Sequence, residues 1–143
     1  MKRIVVAVDG SENADRALGM AADLAKRYEA TLTLVSVVPP VVVATYGGPV
    51  YQPTIPESVH ASYEEVLASR RVQAEKLGAP RVETVLREGI VVEELLAYLD
   101  QEAPDLLVMG SRGLSAGKRL FMGSVSDALV HHARCPVLVV RHP

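Results

Sequence analysis

A chain of 143 residues, 49% hydrophobic and 22% charged, is long enough to bury a core and has the balance of a water-soluble globular protein. Its formal net charge of -2 argues against a broad nucleic-acid footprint, and a single cysteine, Cys135, excludes an internal disulfide. No apolar stretch has the length of a membrane span, and the opening run, interrupted at Asp9, is too short for a secretory signal; one cytoplasmic domain over residues 1–143 is expected.

Ile4 to Val8 is an unbroken, β-branched run, the pattern of a strand covered on both faces. It ends at Asp9-Gly10. Ser11 then reads as a helix cap, with Glu12 and Asp15 in the first turn and Ala14, Ala17, Leu18, Ala21, Leu24, Ala25 and Tyr28 on one face dominated by small residues. Thr31 to Val38 is the second strand. Residues 39–56 hold five prolines and the pair Gly47-Gly48, and read as a long loop, either a surface excursion or a flap carrying Tyr46 and Tyr51. Thr54 and Glu57 resemble a capping box for a helix that runs to Gly78, with Val59, Tyr63, Val66, Leu67, Ala74 and Leu77 on one face. Arg81 to Leu86 alternates polar and apolar residues, which suits an edge strand. Gly89 leads a helix that stops before Pro104. Leu106 to Met109 is the fourth strand, and Val137 to Val140, after Pro136, is the fifth.

Five strands alternating with four helices imply an α/β fold: an open five-stranded parallel sheet, helices on both faces, with right-handed crossovers. The order 3-2-1-4-5 places Asp9 and Gly110 at neighbouring strand ends, where the strand order reverses and ligands of such sheets bind. Gly110 ends the fourth strand, Gly113 lies in the following loop, and Gly123 precedes Ser124, which reads as the N-cap of the last helix. A helix start of this kind suits a phosphate. On composition alone the glycines read equally well as turn formers. Asp9 is suited to accept hydrogen bonds from a ribose or an adenine amine, to help hold a divalent ion, or simply to cap the helix after it.

Familiar catalytic patterns are missing. Between Gly113 and Gly117 stand three residues and Arg119 follows Lys118, so the loop is not a P-loop; VDGSENA is not a dinucleotide fingerprint. No serine has a nucleophile-elbow setting, and His60, His131, His132 and His142 form no metal spacing. Lys118 and Arg119 are loop cations, either simply solvated or offered to a polyphosphate.

Two residues separate Gly110 from Gly113, nine separate Gly113 from Gly123, and Ser124 follows at once. With the opening IVVAVDGSENADRAL, the strand end VSVVPP and the terminal CPVLVV, this pattern resembles the ATP-binding branch of the universal stress protein family over essentially the whole chain. The resemblance implies an adenine-nucleotide α-hydrolase-like sheet. It implies that Asp9 meets ribose or adenine, that the backbone around Val38 meets the adenine edge, and that Gly110, Gly113, Gly123 and Ser124 surround ribose and phosphates, with Val125 adding a backbone contact. ATP would carry magnesium or manganese on its phosphates, with no protein metal cage. A homodimer through the fifth strand and a role in stress response or signalling through nucleotide-dependent partner binding are expected, with no nucleic-acid or membrane partner. The alternatives are a slow Mg-dependent ATPase or phosphotransfer enzyme, whose catalytic residues the sequence does not assign, and a dimeric scaffold that needs no nucleotide.

Overall fold

In the computed structural model, which describes residues 1–40, 42–51, 55–112 and 123–141, the β-branched runs become strands buried on both faces. The elements in chain order are β1 (Arg3–Ala7), α1 (Glu12–Tyr28), β2 (Thr31–Val38), β3 (Val42–Thr45), β4 (Gly48–Tyr51), α2 (Glu57–Lys76), β5 (Arg81–Glu88), α3 (Val91–Glu102), β6 (Leu106–Gly110), α4 (Ser124–His132) and β7 (Val137–Val140). The main sheet runs β5-β2-β1-β6-β7 and every neighbouring pair is parallel. Setting β3 and β4 aside, this is the expected 3-2-1-4-5 order.

Alternation along each strand splits the core in two. Ile4, Val6, Val8, Leu32, Leu34 and Val108 pack under α1 and α2. Val5, Val35, Val37, Leu107 and Met109 pack with Leu95, Leu99 and Leu129 of α3 and α4. The alanines of α1 let that helix lie close on the sheet, and Ala17, Ala21, Ala22 and Ala25 are fully buried. Ser11 caps α1 as expected, its Oγ accepting from the Ala14 N–H at 3.2 Å.

Residues 39–56 are not simply a loop. Val42–Thr45 and Gly48–Tyr51 pair antiparallel as a hairpin across Tyr46-Gly47, with Gly48 at φ +105° and the Thr45 hydroxyl donating to its carbonyl at 2.6 Å. Valines flanking a Gly-Gly pair are a hairpin signal, which the surrounding prolines obscure. The Tyr46 side chain stands in solvent. At α2 the N-cap is Pro56 with no side-chain hydrogen bond, and Thr54 lies outside the described residues. Leu77, expected on the buried face, is 46% exposed because the helix ends there and Gly78 turns away at φ +99°. Among the described residues β5 pairs on one side only, with β2, which accounts for its alternating polarity. Cys135 is half-buried and burial pushes its thiol above the ordinary value.

Candidate functional site

The strand order reverses between β1 and β6, so the crevice lies where Asp9 and Gly110 leave the sheet. After β1 the chain turns sharply: Asp9 Oδ1 accepts the Ser11 N–H at 2.9 Å, and Gly10 sits at φ +86°. A Cβ on Gly10 would stand 3.6 Å from Val66, so α2 packs directly on this turn. Also on α2, Tyr63 has its hydroxyl pushed up, first by burial and then by the negative charge of Asp9. Arg70 grips Asp15 of α1 with Nε and Nη2 at 2.8 and 3.0 Å. That hydrogen bonding holds its guanidinium above the ordinary value, and the field of Asp9 adds to it.

Gly110 has a different neighbour. An ideal Cβ there would come within 2.7–2.8 Å of the carbonyl carbon, oxygen and Cβ of Asn13, so the absent side chain lets β6 end against the first turn of α1. Asn13 is buried, and among the described residues its Oδ1 has no partner.

Beyond Gly110 the chain is closed on itself. The Ser111 N–H reaches the Val140 carbonyl at 3.0 Å, the Gly123 N–H reaches the Ser111 carbonyl at 2.7 Å, and the Ser126 hydroxyl donates to the Gly110 carbonyl at 2.8 Å. These bonds hold the start of α4 at the end of β6. Gly113, together with Lys118 and Arg119, lies outside the described residues. Ser126, 4% exposed, is a positioning residue that sequence reasoning missed; its only signal was a hydroxyl on the buried side of a short helix.

Ser124 is not the N-cap. It is the first residue of α4, Gly123 is the cap, and among the described residues no side-chain cap hydrogen bond is made to the first-turn N–H groups. Those of Ser124 and Val125 have no acceptor within their own helix and carry the positive end of its dipole. Gly123 has φ -65° and ψ 159°, open to any residue, and a Cβ there would meet Arg112 Cα and the Ser111 oxygen at an ordinary 3.4 and 3.5 Å. Among the described residues nothing requires glycine at this position.

At the end of β2, the Val38 carbonyl accepts the Gly89 N–H at 3.0 Å, so Val38 turns its backbone toward β5. The Val8 N–H donates to the Val35 carbonyl at 2.9 Å, which fixes the alternation: the odd residues of β2 face β1. The backbone that faces the crevice is therefore that of Val37, one residue before the expected position. Among the described residues no group of three or more His, Cys, Asp or Glu side chains is placed to hold a metal ion, and no helix is long and apolar enough to cross a membrane.

The family model described as the universal stress protein family matches residues 1–141. The putative universal stress protein SH1215 of Staphylococcus haemolyticus is 39% identical over 144 residues, covering 98% of this chain and 84% of the relative. Among solved structures, the universal stress protein UspA of Lactobacillus plantarum superposes with a TM-score of 0.82 at 28% identity, covering 98% of this chain and 97% of the other. The universal stress protein of Archaeoglobus fulgidus in complex with dAMP superposes with a TM-score of 0.73 at 22% identity, covering 99% and 98%.

Proposed function

The chain belongs to the universal stress protein family, and from that membership we propose that it binds an adenine nucleotide, ATP above all, as the signal of a stress-response regulator. The observation that carries this reading is the start of α4. Among the described residues its first-turn N–H groups lack a side-chain cap, are pinned at the mouth of the β1–β6 crevice, and follow a glycine whose added Cβ would meet only ordinary contacts. In this reading the N–H groups of Ser124 and Val125, the Ser124 hydroxyl and the open space at Gly123 receive phosphate. Asp9 accepts the ribose hydroxyls. The backbone of Val37, rather than Val38, meets the adenine edge, and Gly110 sets how closely the ribose approaches β6. The dAMP complex of the Archaeoglobus fulgidus protein supports the same ligand class.

Magnesium or manganese fits this donor set as an ion carried by the phosphates, which it would partly neutralise when bound. Isothermal titration with ATP, ADP and AMP, with and without magnesium, tests the proposal. Saturable binding of at least one adenine nucleotide is expected, and absence of binding at millimolar ligand overturns it in favour of the scaffold. Turnover is expected to be slow or absent. Phosphoryl transfer to water requires a group that orients the water, and Asp9, near the ribose, is remote from the terminal phosphate in this pose.

The same reading includes a homodimer through β7. Pro136 and Val140 turn their carbonyls to β6, accepting from Leu107 and Ser111, so by alternation Val137 and Val139 turn their N–H and C=O groups to the open edge. An uncovered apolar edge is a liability that a two-fold copy removes. Because proline is tolerated where the N–H faces outward, Val139→Pro blocks pairing without removing a bond inside the sheet. Light scattering is expected to give a lower mass for the variant than for the wild type; equal masses set the β7 pairing aside.

A further inference from the structure

The opposite edge of the sheet carries a second surface. Among the described residues β5 is paired only with β2, and the Gly89 N–H bonded to the Val38 carbonyl fixes the alternation, so Val82, Thr84, Leu86 and Glu88 direct their backbone groups outward. Beside that edge an open groove of about 390 Å³ is lined by Thr84 and Leu86 of β5 and by His60, Glu64, Leu67, Ala68 and Arg71 of α2. His60 braces its mouth, with one ring nitrogen 3.0 Å from Glu64 and the other 3.0 Å from Glu88.

The geometry points to a second copy of this chain as the occupant, docked antiparallel on β5 about a two-fold axis at Val85. In that register Thr84 faces the partner's Leu86 through two backbone hydrogen bonds, and Glu83 faces the partner's Arg87 twice. The neighbouring registers are worse. One sets Arg81 against the partner's Arg87, and the other leaves Glu83 opposite the partner's Gly89. Charges on an edge strand ordinarily deter pairing; here their order also selects a single register.

The helix above carries the same symmetry. α2 packs on both β2 and β5, so its two-fold copy would lie two strand spacings away, about 9–10 Å, a normal distance for packed helices. About a midpoint between Leu67 and Ala68, exposed Glu64 faces the partner's Arg71, and small Ala68 lies at the crossing. Leu67 and Ala68 line the same groove as Thr84 and Leu86, so one axis serves strand and helix together. The groove then receives the partner's Leu86 side chain.

The test is a cysteine on the axis. Val85→Cys with Cys135→Ser places two thiols in a non-hydrogen-bonded antiparallel pair, with Cα atoms about 4.5 Å apart, within disulfide reach. Mild oxidation with oxidised glutathione is expected to give a covalent dimer as the main product. Adding Thr84→Pro, which blocks the outward N–H, should cut the yield about tenfold. Glu64→Arg should lower it several-fold, and Arg71→Glu added to Glu64→Arg should restore it, because the charges again oppose across the axis. Cross-linking no more efficient than that of Glu93→Cys on exposed α3 overturns the proposal. So does a yield insensitive to both Thr84→Pro and the charge reversal, circular dichroism first confirming that each variant is folded.

Discussion

Gly110→Val is expected to destabilise the folded chain by about 3 kcal/mol, independently of any ligand, because overpacking a close contact typically costs 1–3 kcal/mol and at times more. The atoms in the way are backbone and Cβ of Asn13, at 2.7–2.8 Å from an ideal Cβ, and they have nowhere to go. That turn of α1 is held by the Ser11 cap, by the Arg70–Asp15 pair and by alanines already packed on the sheet. Moving β6 instead would disturb the Ser126–Gly110 bond that positions α4. Urea unfolding should show a midpoint lowered by about 1–2 M with an unchanged slope. Gly110→Ala should lose most of the same stability, because the first carbon already clashes. A midpoint equal to the wild type for both variants would show that the α1–β6 contact yields.

The sheet was legible because its central strands are continuous apolar runs, and because the polar alternation of Arg81 to Leu86 correctly marked an edge. The crevice was legible too, since β1 and β6 each end in a recognisable stop, Asp9-Gly10 and Gly110. What escaped was whatever depends on contacts between distant segments. No local pattern reveals that Gly110 faces Asn13, or that the Ser126 hydroxyl reaches back to the Gly110 carbonyl. The choice between Val37 and Val38 is of the same kind. Successive residues of a strand differ only in which neighbour their backbone addresses, and that is set by pairing with β1 and β5. At Ser124 the error was one of chemistry: a serine before a helical pattern is a good cap, but here Gly123 takes that position and Ser124 stays exposed. The hairpin at residues 42–51 was hidden by proline density, although Gly47-Gly48 between valine-rich segments carried its signal.

Gly123→Val is the complementary case, in which the fold should survive and the ligand should not. Its backbone lies at φ -65° and ψ 159°, a region valine favours, and the first added carbon meets Arg112 and Ser111 at ordinary contact distance. The Gly123 N–H to Ser111 and the Gly123 carbonyl to Asp127 do not depend on a side chain, so the start of α4 keeps its anchors. The urea midpoint should therefore stay within roughly 0.3 M of the wild type. The branched carbons, however, stand beside the N–H groups of Ser124 and Val125, where the proposed phosphates approach. Hydrogen bonds to a charged group are worth about 1.5–3 kcal/mol, so losing one predicts a roughly 10- to 100-fold weaker ATP dissociation constant by calorimetry. AMP, with fewer phosphates to displace, should lose less than ATP. A folded Gly123→Val protein that binds ATP as the wild type does would remove the start of α4 from the phosphate site, leaving the crevice without its principal anion donor.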